Sequence, residues 1–341
     1  MIAAALESRA GRESARLLVI DSTTRTFSDS RIADLPALLQ SGDLLVVNDA
    51  ATLPASLRAR SPAGEPVEIR LARRVETSVW QAVVFGQGDW RIPTEYRDPP
   101  PKLLAGDTLE IGDGFAAEVI EVSPASDRLV TLNFNATGPR FWSCIYAYGK
   151  PVQYSYHSDD LPLWSVQTAY AARPWAMEMP SAGQPLTWRI LGELRQAGVR
   201  LALITHAAGL SATGDADLDR RLPLPERYDV PQSTVDEVTS ARTAGCRVVA
   251  VGTTVVRALE GCAENNGGIL RAGAGETGLV IDRPFRPRIV TGLLTGIHDP
   301  AGSHFRLLRP FLDETTLRRA LRHAEEVKYE KHEYGDLCLI V

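Results

Sequence analysis

Between residues 58 and 135 the apolar side chains come in short runs that mostly alternate with polar ones. Val67, Ile69 and Leu71 interleave with Glu68 and Arg70; Trp80–Phe85, Leu109 with Ile111, Phe115–Val122, and Val130 with Leu132 and Phe134 follow. Turn-forming clusters separate them: Pro62-Ala63-Gly64, Gly86-Gln87-Gly88, Ala105-Gly106-Asp107, Gly112-Asp113-Gly114 and Pro124-Ala125-Ser126-Asp127. A period of two with closely spaced turns predicts antiparallel strands closed into a small barrel or sandwich. From about residue 160 the period changes. Ile190, Leu191, Leu194 and Ala197 share one helical face, and Gly198 ends that helix. Val199–Thr205 then reads as a strand running into His206, and Thr234 with Glu237 as a capping box for a helix through Val235, Val238 and Ala241. Arg16–Asp21 and Asp43–Val47 add N-terminal strands. Alternating helices and strands predict an α/β fold, a mainly parallel sheet with flanking helices. The expected organisation is an α/β domain, residues 1–57 and 136–341, with an inserted antiparallel β-barrel-like domain at 58–135. The cleft between them is the expected site.

The most informative local pattern is Arg247–Glu260, R-V-V-A-V-G-T-T-V-V-R-A-L-E. Four consecutive apolar residues, Val248–Val251, suit a strand buried on both faces. Gly252 breaks it, Thr253 and Thr254 can cap the first amides of a helix, and Val255, Val256 and Leu259 give that helix its apolar side. A strand, a glycine turn and a helix N-terminus form an anion cradle, because unpaired N–H groups and the positive dipole end point at one spot. Arg257 and Glu260, three apart, can face that spot or pair with each other.

Composition narrows the function classes. The chain of 341 residues is 44% hydrophobic and 23% charged, as soluble globular proteins are. No run reaches the ~20 apolar residues of a membrane span. The first residues carry neither the basic start nor the apolar core of a secretory signal. Four scattered cysteines, Cys144, Cys246, Cys262 and Cys338, make no C-x-x-C pair, so neither a zinc site nor a disulfide framework is expected. These features predict a cytoplasmic protein without a metal. The net charge of −5 gives no global support for nucleic-acid binding. Local basic patches exist at Arg58, Arg60, Arg70, Arg73 and Arg74, and at Arg283, Arg286 and Arg288.

The Arg247–Glu260 string resembles the R-V-I-A-V-G-T-T-x-V-R-x-L-E segment of the S-adenosylmethionine:tRNA ribosyltransferase-isomerases of queuosine biosynthesis. The resemblance runs along the chain. S-A-R-L-L-V-I-D and P-A-L-L-Q-S-G-D-L-L-V-V-N-D stand where the family has S-R-L-L-x-x-D and L-x-P-G-D-L-L-V-x-N-[DN]; Val166–Tyr170 and Pro180–Gly183 match Y-Q-T-V-Y and P-T-A-G; Tyr334-Gly335-Asp336 falls on S-Y-G-D. The resemblance implies an α/β domain with a β-barrel domain, and S-adenosylmethionine (SAM) as co-substrate. An aminomethyl-deazaguanine base in tRNA attacks the ribose of SAM, adenine and methionine leave, and the sugar rearranges to an epoxycyclopentanediol. Such a site requires a base, a donor for departing adenine, hydroxyl anchors and a hold on the methionine end.

Carried over residue by residue, the resemblance implies that Gly252, Thr253, Thr254, Arg257, Asn48 and Asp49 bind SAM. The acid/base candidates are His206, at the histidine of L-H-V-G; His298, which with Pro300 matches T-N-F-H-L-P; Glu226, at the glutamate of H-x-M-H-x-E; and Asp336. The chain also departs from the family. Arg221-Leu222-Pro223-Leu224-Pro225 replaces both histidines of H-x-M-H, Pro185 replaces the histidine of P-T-A-G-L-H-F, and Ala50–Ser56 lacks both arginines of T-R-V-I-P-A-R. Pro151-Val152-Gln153-Tyr154 stands for P-L-P-P-Y, and Gly209-Leu210-Ser211-Ala212 for G-A-G-T-F. Losing phosphate-binding arginines predicts weak tRNA binding. Three outcomes stay open: the family's reaction on tRNA, a SAM reaction with a small-molecule acceptor or on SAM alone, and an inactive SAM- or RNA-binding protein.

Overall fold

The computed structural model describes residues 2–5, 11–282, 284–298 and 303–341. Arg283 and Pro300, singled out above, lie outside the described residues. Alternation becomes strand where expected at Pro66–Arg74, Val79–Phe85, Thr108–Gly112, Phe115–Val122 and Leu129–Phe134; Ser56–Arg60, outside the expected runs, is a sixth strand, and all six pair antiparallel. Arg60 pairs with Glu110, which closes these six strands into a barrel. The barrel's inward residues, among them Trp80, Phe85, Phe115 and Phe134, form one core. The helix Gly138–Tyr148 packs against it. Phe141 stacks on Trp80 at 5.6 Å and meets Phe134 edge-on at 5.3 Å.

The second sheet has nine strands. At its centre Arg200–His206, Leu44–Asn48, Val248–Val251 and Gly292–Gly296 lie side by side and parallel. Beyond them the direction changes: Glu226–Val230 joins Arg200–His206 antiparallel and Gly273–Thr277 continues antiparallel; Leu337–Ile340 runs antiparallel to Gly292–Gly296, and Arg16–Asp21 forms a hairpin with Thr26–Arg31. The expected mainly parallel sheet is therefore corrected to a mixed one. Crossover helices make the four central neighbours parallel, whereas hairpins and loop returns add margins that are antiparallel except where Arg16–Asp21 runs parallel to Leu337–Ile340. On one face Leu44, Val46, Val248 and Ala250 pack under the helices Gln232–Thr243, Thr253–Asn265 and Glu314–Glu326. On the other, Leu45, Val47, Val249 and Val251 meet the helix Trp188–Gln196 through Ile190, Leu191 and Leu194.

Two local expectations change. Gln232–Thr243 starts two residues before Thr234, whose hydroxyl donates to the Leu203 carbonyl, so Thr234 and Glu237 form no capping box. Arg257 and Glu260 do not pair either: the Glu260 carboxylate accepts the backbone N–H groups of Arg288, Ile289 and Val290. Among the described residues no helix is long and apolar enough to cross a membrane.

Phe141 is buried among Trp80, Phe115, Phe134 and Trp142, so Phe141→Ala leaves a cavity in the barrel core. The expected loss is about 3–5 kcal/mol of unfolding free energy, read from the urea midpoint.

Candidate active site

Gly252 is the N-cap of the helix Thr253–Asn265, so Thr253 and Thr254 are its first helical residues and not its caps. Gly252 has φ +85°, a backbone conformation that favours glycine, and its own amide donates to the Leu294 carbonyl at 2.7 Å. No side chain caps this helix. Its first amides therefore open, with the positive dipole end, into a cleft of about 400 Å³.

Gly252, Thr253, Thr254, Arg257, Glu226 and His298 all line this cleft. Glu226, at the start of an edge-side strand, lies against Arg257 from the adjoining helix, and the two side chains form a buried ion pair. The other Glu226 oxygen accepts the Gly209 amide at 2.7 Å. Arg257 is held further by the carbonyls of Leu279, at 3.0 Å, and Thr277. Burial lowers its pKa to about 10. His206, fully buried, places Nε2 3.3 Å from Glu226 Oε2, yet among the described residues neither ring nitrogen has a hydrogen-bond partner. Burial, and then the charge of Arg257, holds this imidazole neutral, well below the ordinary histidine range. His206 is not among the residues that line the cleft; its link to it is the Glu226 carboxylate, which is. On another wall His298 Nε2 lies 2.8 Å from the Thr295 hydroxyl.

The remaining sequence candidates sit elsewhere. Asn48 bridges backbone: its Oδ1 accepts the His206 and Ala50 amides while its Nδ2 donates to the His206 carbonyl. Asp49 accepts the Thr205 hydroxyl. Asp336 accepts the Arg16 and Glu330 amides, each at 2.8 Å, and so ties the C-terminal strand to its neighbours. None of these three lines the cleft. The replacements Arg221, Leu222 and Pro223, by contrast, do.

Sequence reasoning missed a second polar group in the cleft wall. Tyr156 donates to Glu333, and Tyr154 donates to Glu178, which also accepts the Ser211 amide at 2.8 Å. The Tyr156 ring stacks on His332 at 4.0 Å, and His157 Nε2 lies 3.7 Å from Glu333. Burial, then the like charge of Glu178, raises the Glu333 pKa to about 7; burial raises Glu178 as well. The alternation Y-S-Y at 154–156 was the only local signal, since the two carboxylates come from distant segments. Among the described residues no group of three His, Cys, Asp or Glu side chains is placed to hold a metal ion.

With this geometry in hand, the chain can be compared with known proteins. The model of the family described as "Queuosine biosynthesis protein" matches residues 2–340. The S-adenosylmethionine:tRNA ribosyltransferase-isomerase of Thermus thermophilus is 33% identical over 97% of this chain and 93% of its own length. The protein of the same name from Parvibaculum lavamentivorans is 31% identical over 98% and 95%. The crystal structure of the S-adenosylmethionine tRNA ribosyltransferase from Thermotoga maritima superposes with a TM-score of 0.54 at 26% identity, covering 99% of this chain and 96% of that one.

The carboxylate wall generates a pH prediction. A carboxyl raised from 4.5 to about 7 on folding stabilises the fold fully below its unfolded value, and that contribution is lost as the pH rises through about 7. Glu333→Gln keeps an acceptor for Tyr156 but removes this titration. The variant should match wild type near about pH 4.5 and exceed it by about 1–3 kcal/mol near about pH 8, in urea denaturation at both values.

Proposed function

Because the chain belongs to the queuosine biosynthesis protein family, we propose that it is an enzyme that transfers and isomerises the ribosyl part of SAM onto a deazaguanine base in tRNA, releasing adenine and methionine. The observation that carries this reading is the uncapped start of the Thr253–Asn265 helix, opening into a cleft that also holds Glu226, Arg257 and His298. The free amides suit the carboxylate of the methionine end, and the Thr253 and Thr254 hydroxyls suit the ribose. Loss of a ribose proton next to the sulfonium needs an unprotonated base. His206 is kept neutral by burial, and Glu226, 3.3 Å away, can stabilise the imidazolium that forms against the opposing charge of Arg257. His298 and Glu333, on other walls, are available to protonate departing adenine. Asn48, Asp49 and Asp336 enter this proposal as supports that hold the strand ends beneath the cleft. The two separate hydrophobic cores support reading residues 58–135 as an inserted barrel domain carried by an α/β domain.

A second reading has its own observation. Arg221, Leu222 and Pro223 line the cleft where the family has two histidines, so the acceptor side is reshaped and a small-molecule acceptor fits the same SAM site. Incubation with SAM alone and with tRNA carrying the aminomethyl-deazaguanine base, followed by mass spectrometry, separates the two. Adenine and methionine should appear only with the tRNA; SAM consumed without it would replace the first reading by the second.

Two sets of variants test the residue roles. Thr253→Ala with Thr254→Ala should weaken SAM binding by on the order of 1–3 kcal/mol in calorimetry. His206→Gln should lose ~10²–10⁴ in turnover while still binding SAM. Unchanged turnover would move the proton transfer to His298, Glu226 or Glu333.

A further inference from the structure

A second crevice lies on the other side of Glu226, between barrel and sheet. Glu226 lines both this crevice and the main cleft, so the two openings meet at one carboxylate. The barrel side contributes Arg73, Arg74 and Trp80, and the helix behind them Trp142; the sheet side contributes Trp175 and Arg227. These arginines are unequal. Arg73 pairs with Glu276, and nearby Arg173 pairs with Asp229, so the two carboxylates at hand are already engaged. Among the described residues neither Arg74 nor Arg227 has an ion-pair partner.

Both free guanidiniums are held by aromatic rings instead. Arg227 lies 3.9 Å from the centroid of Trp175. Arg74 lies 6.0 Å and 5.9 Å from those of Trp80 and Trp142, and donates to the carbonyls of Glu76 and Thr77. Ring contacts orient a guanidinium without neutralising it. Burial, and then Arg74 itself, disfavours the charge on Arg227, an effect that Glu276 and Asp229 offset only in part. Paired arginines beside the half-buried indoles of Trp142 and Trp175 match the phosphates and bases of unpaired RNA.

We propose that this crevice, about 60 Å³, marks where the acceptor strand lies on the surface: Arg74 and Arg227 hold RNA phosphates, and Trp142 and Trp175 give apolar contact to the flanking bases, so that the reacting base is presented to the main cleft on the other side of Glu226. The proposal rests on the tRNA reading given above and supplies the phosphate contacts missing at Ala50–Ser56.

The test is fluorescence anisotropy with a labelled anticodon stem–loop of a queuosine-type tRNA, titrated at about 50 and about 200 mM salt. Arg74→Ala with Arg227→Ala should weaken binding about tenfold or more at the lower salt and reduce the log–log salt slope by about 1.5, the share of two phosphates. Arg74→Lys with Arg227→Lys should restore most of the slope. Trp175→Ala should weaken binding with little change in slope, because stacking releases no counterions. SAM affinity of each variant, from calorimetry, reports that the fold and the main cleft are intact. If wild type binds the RNA and the double alanine variant binds it equally with the same slope, the crevice proposal is overturned while the tRNA reading stands. If wild type shows no saturable RNA binding and consumes SAM without it, both fail together.

Discussion

The buried ion pair between Glu226 and Arg257 is the contact on which the rest of the site depends. Each partner without the other would be a lone charge in a dry place, and breaking such a pair costs far more than the pair contributes. Their positions are therefore mutually fixed. That fixes the strand Glu226–Val230 against the helix Thr253–Asn265, and hence the turn at Gly252 against the wall at Gly209. His206 sits directly beside the pair, kept neutral first by burial and then by the charge of Arg257. One interaction thus sets the shape of the cleft and adds to what holds the neighbouring histidine neutral.

Other carboxylates do different work. Glu260 and Asp336 are saturated by backbone amides and fasten loop to helix and strand to strand. Glu178 and Glu333 receive tyrosine hydroxyls but face the cleft, so burial raises both. The distinction is one of partners: Glu260 and Asp336 spend their oxygens on backbone amides, whereas Glu178 and Glu333 take tyrosine hydroxyls on the cleft wall, and the like charge of Glu178 adds to the rise of Glu333.

The sequence was most legible where one physical rule acted alone. Most barrel strands followed from period-two alternation, and the helix at Trp188–Gln196 from a single apolar face stopped by Gly198. The sheet margins were less legible. Glu226–Val230 opens on two charged residues and has only Tyr228 and Val230 as apolar positions, and Gly273–Thr277 carries almost no apolar signal, so tertiary pairing decided both. At the site, Gly252, Thr253, Thr254, Arg257, Glu226 and His298 converge because they ride on strand ends and one helix start. Asn48, Asp49 and Asp336 stand in equally well-matched strings, but Asn48 and Asp336 bind backbone groups and Asp49 the Thr205 hydroxyl, which a string cannot distinguish. Tyr154, Tyr156, Glu178 and Glu333 were hidden because their chemistry arises only when distant loops meet.

The closure of the barrel through Arg60 and Glu110 has a consequence for behaviour at high concentration. A closed ring of strands offers little edge to another chain, so sheet-to-sheet addition between molecules is left mainly to the margins of the nine-stranded sheet. One margin, Thr26–Arg31, presents Asp29 and Arg31; the other, Gly273–Thr277, is short, glycine-rich and carries Glu276. Neither is a long apolar ribbon on which a second molecule could grow. A protein with two extensive β-structures therefore exposes almost no template for polymerisation.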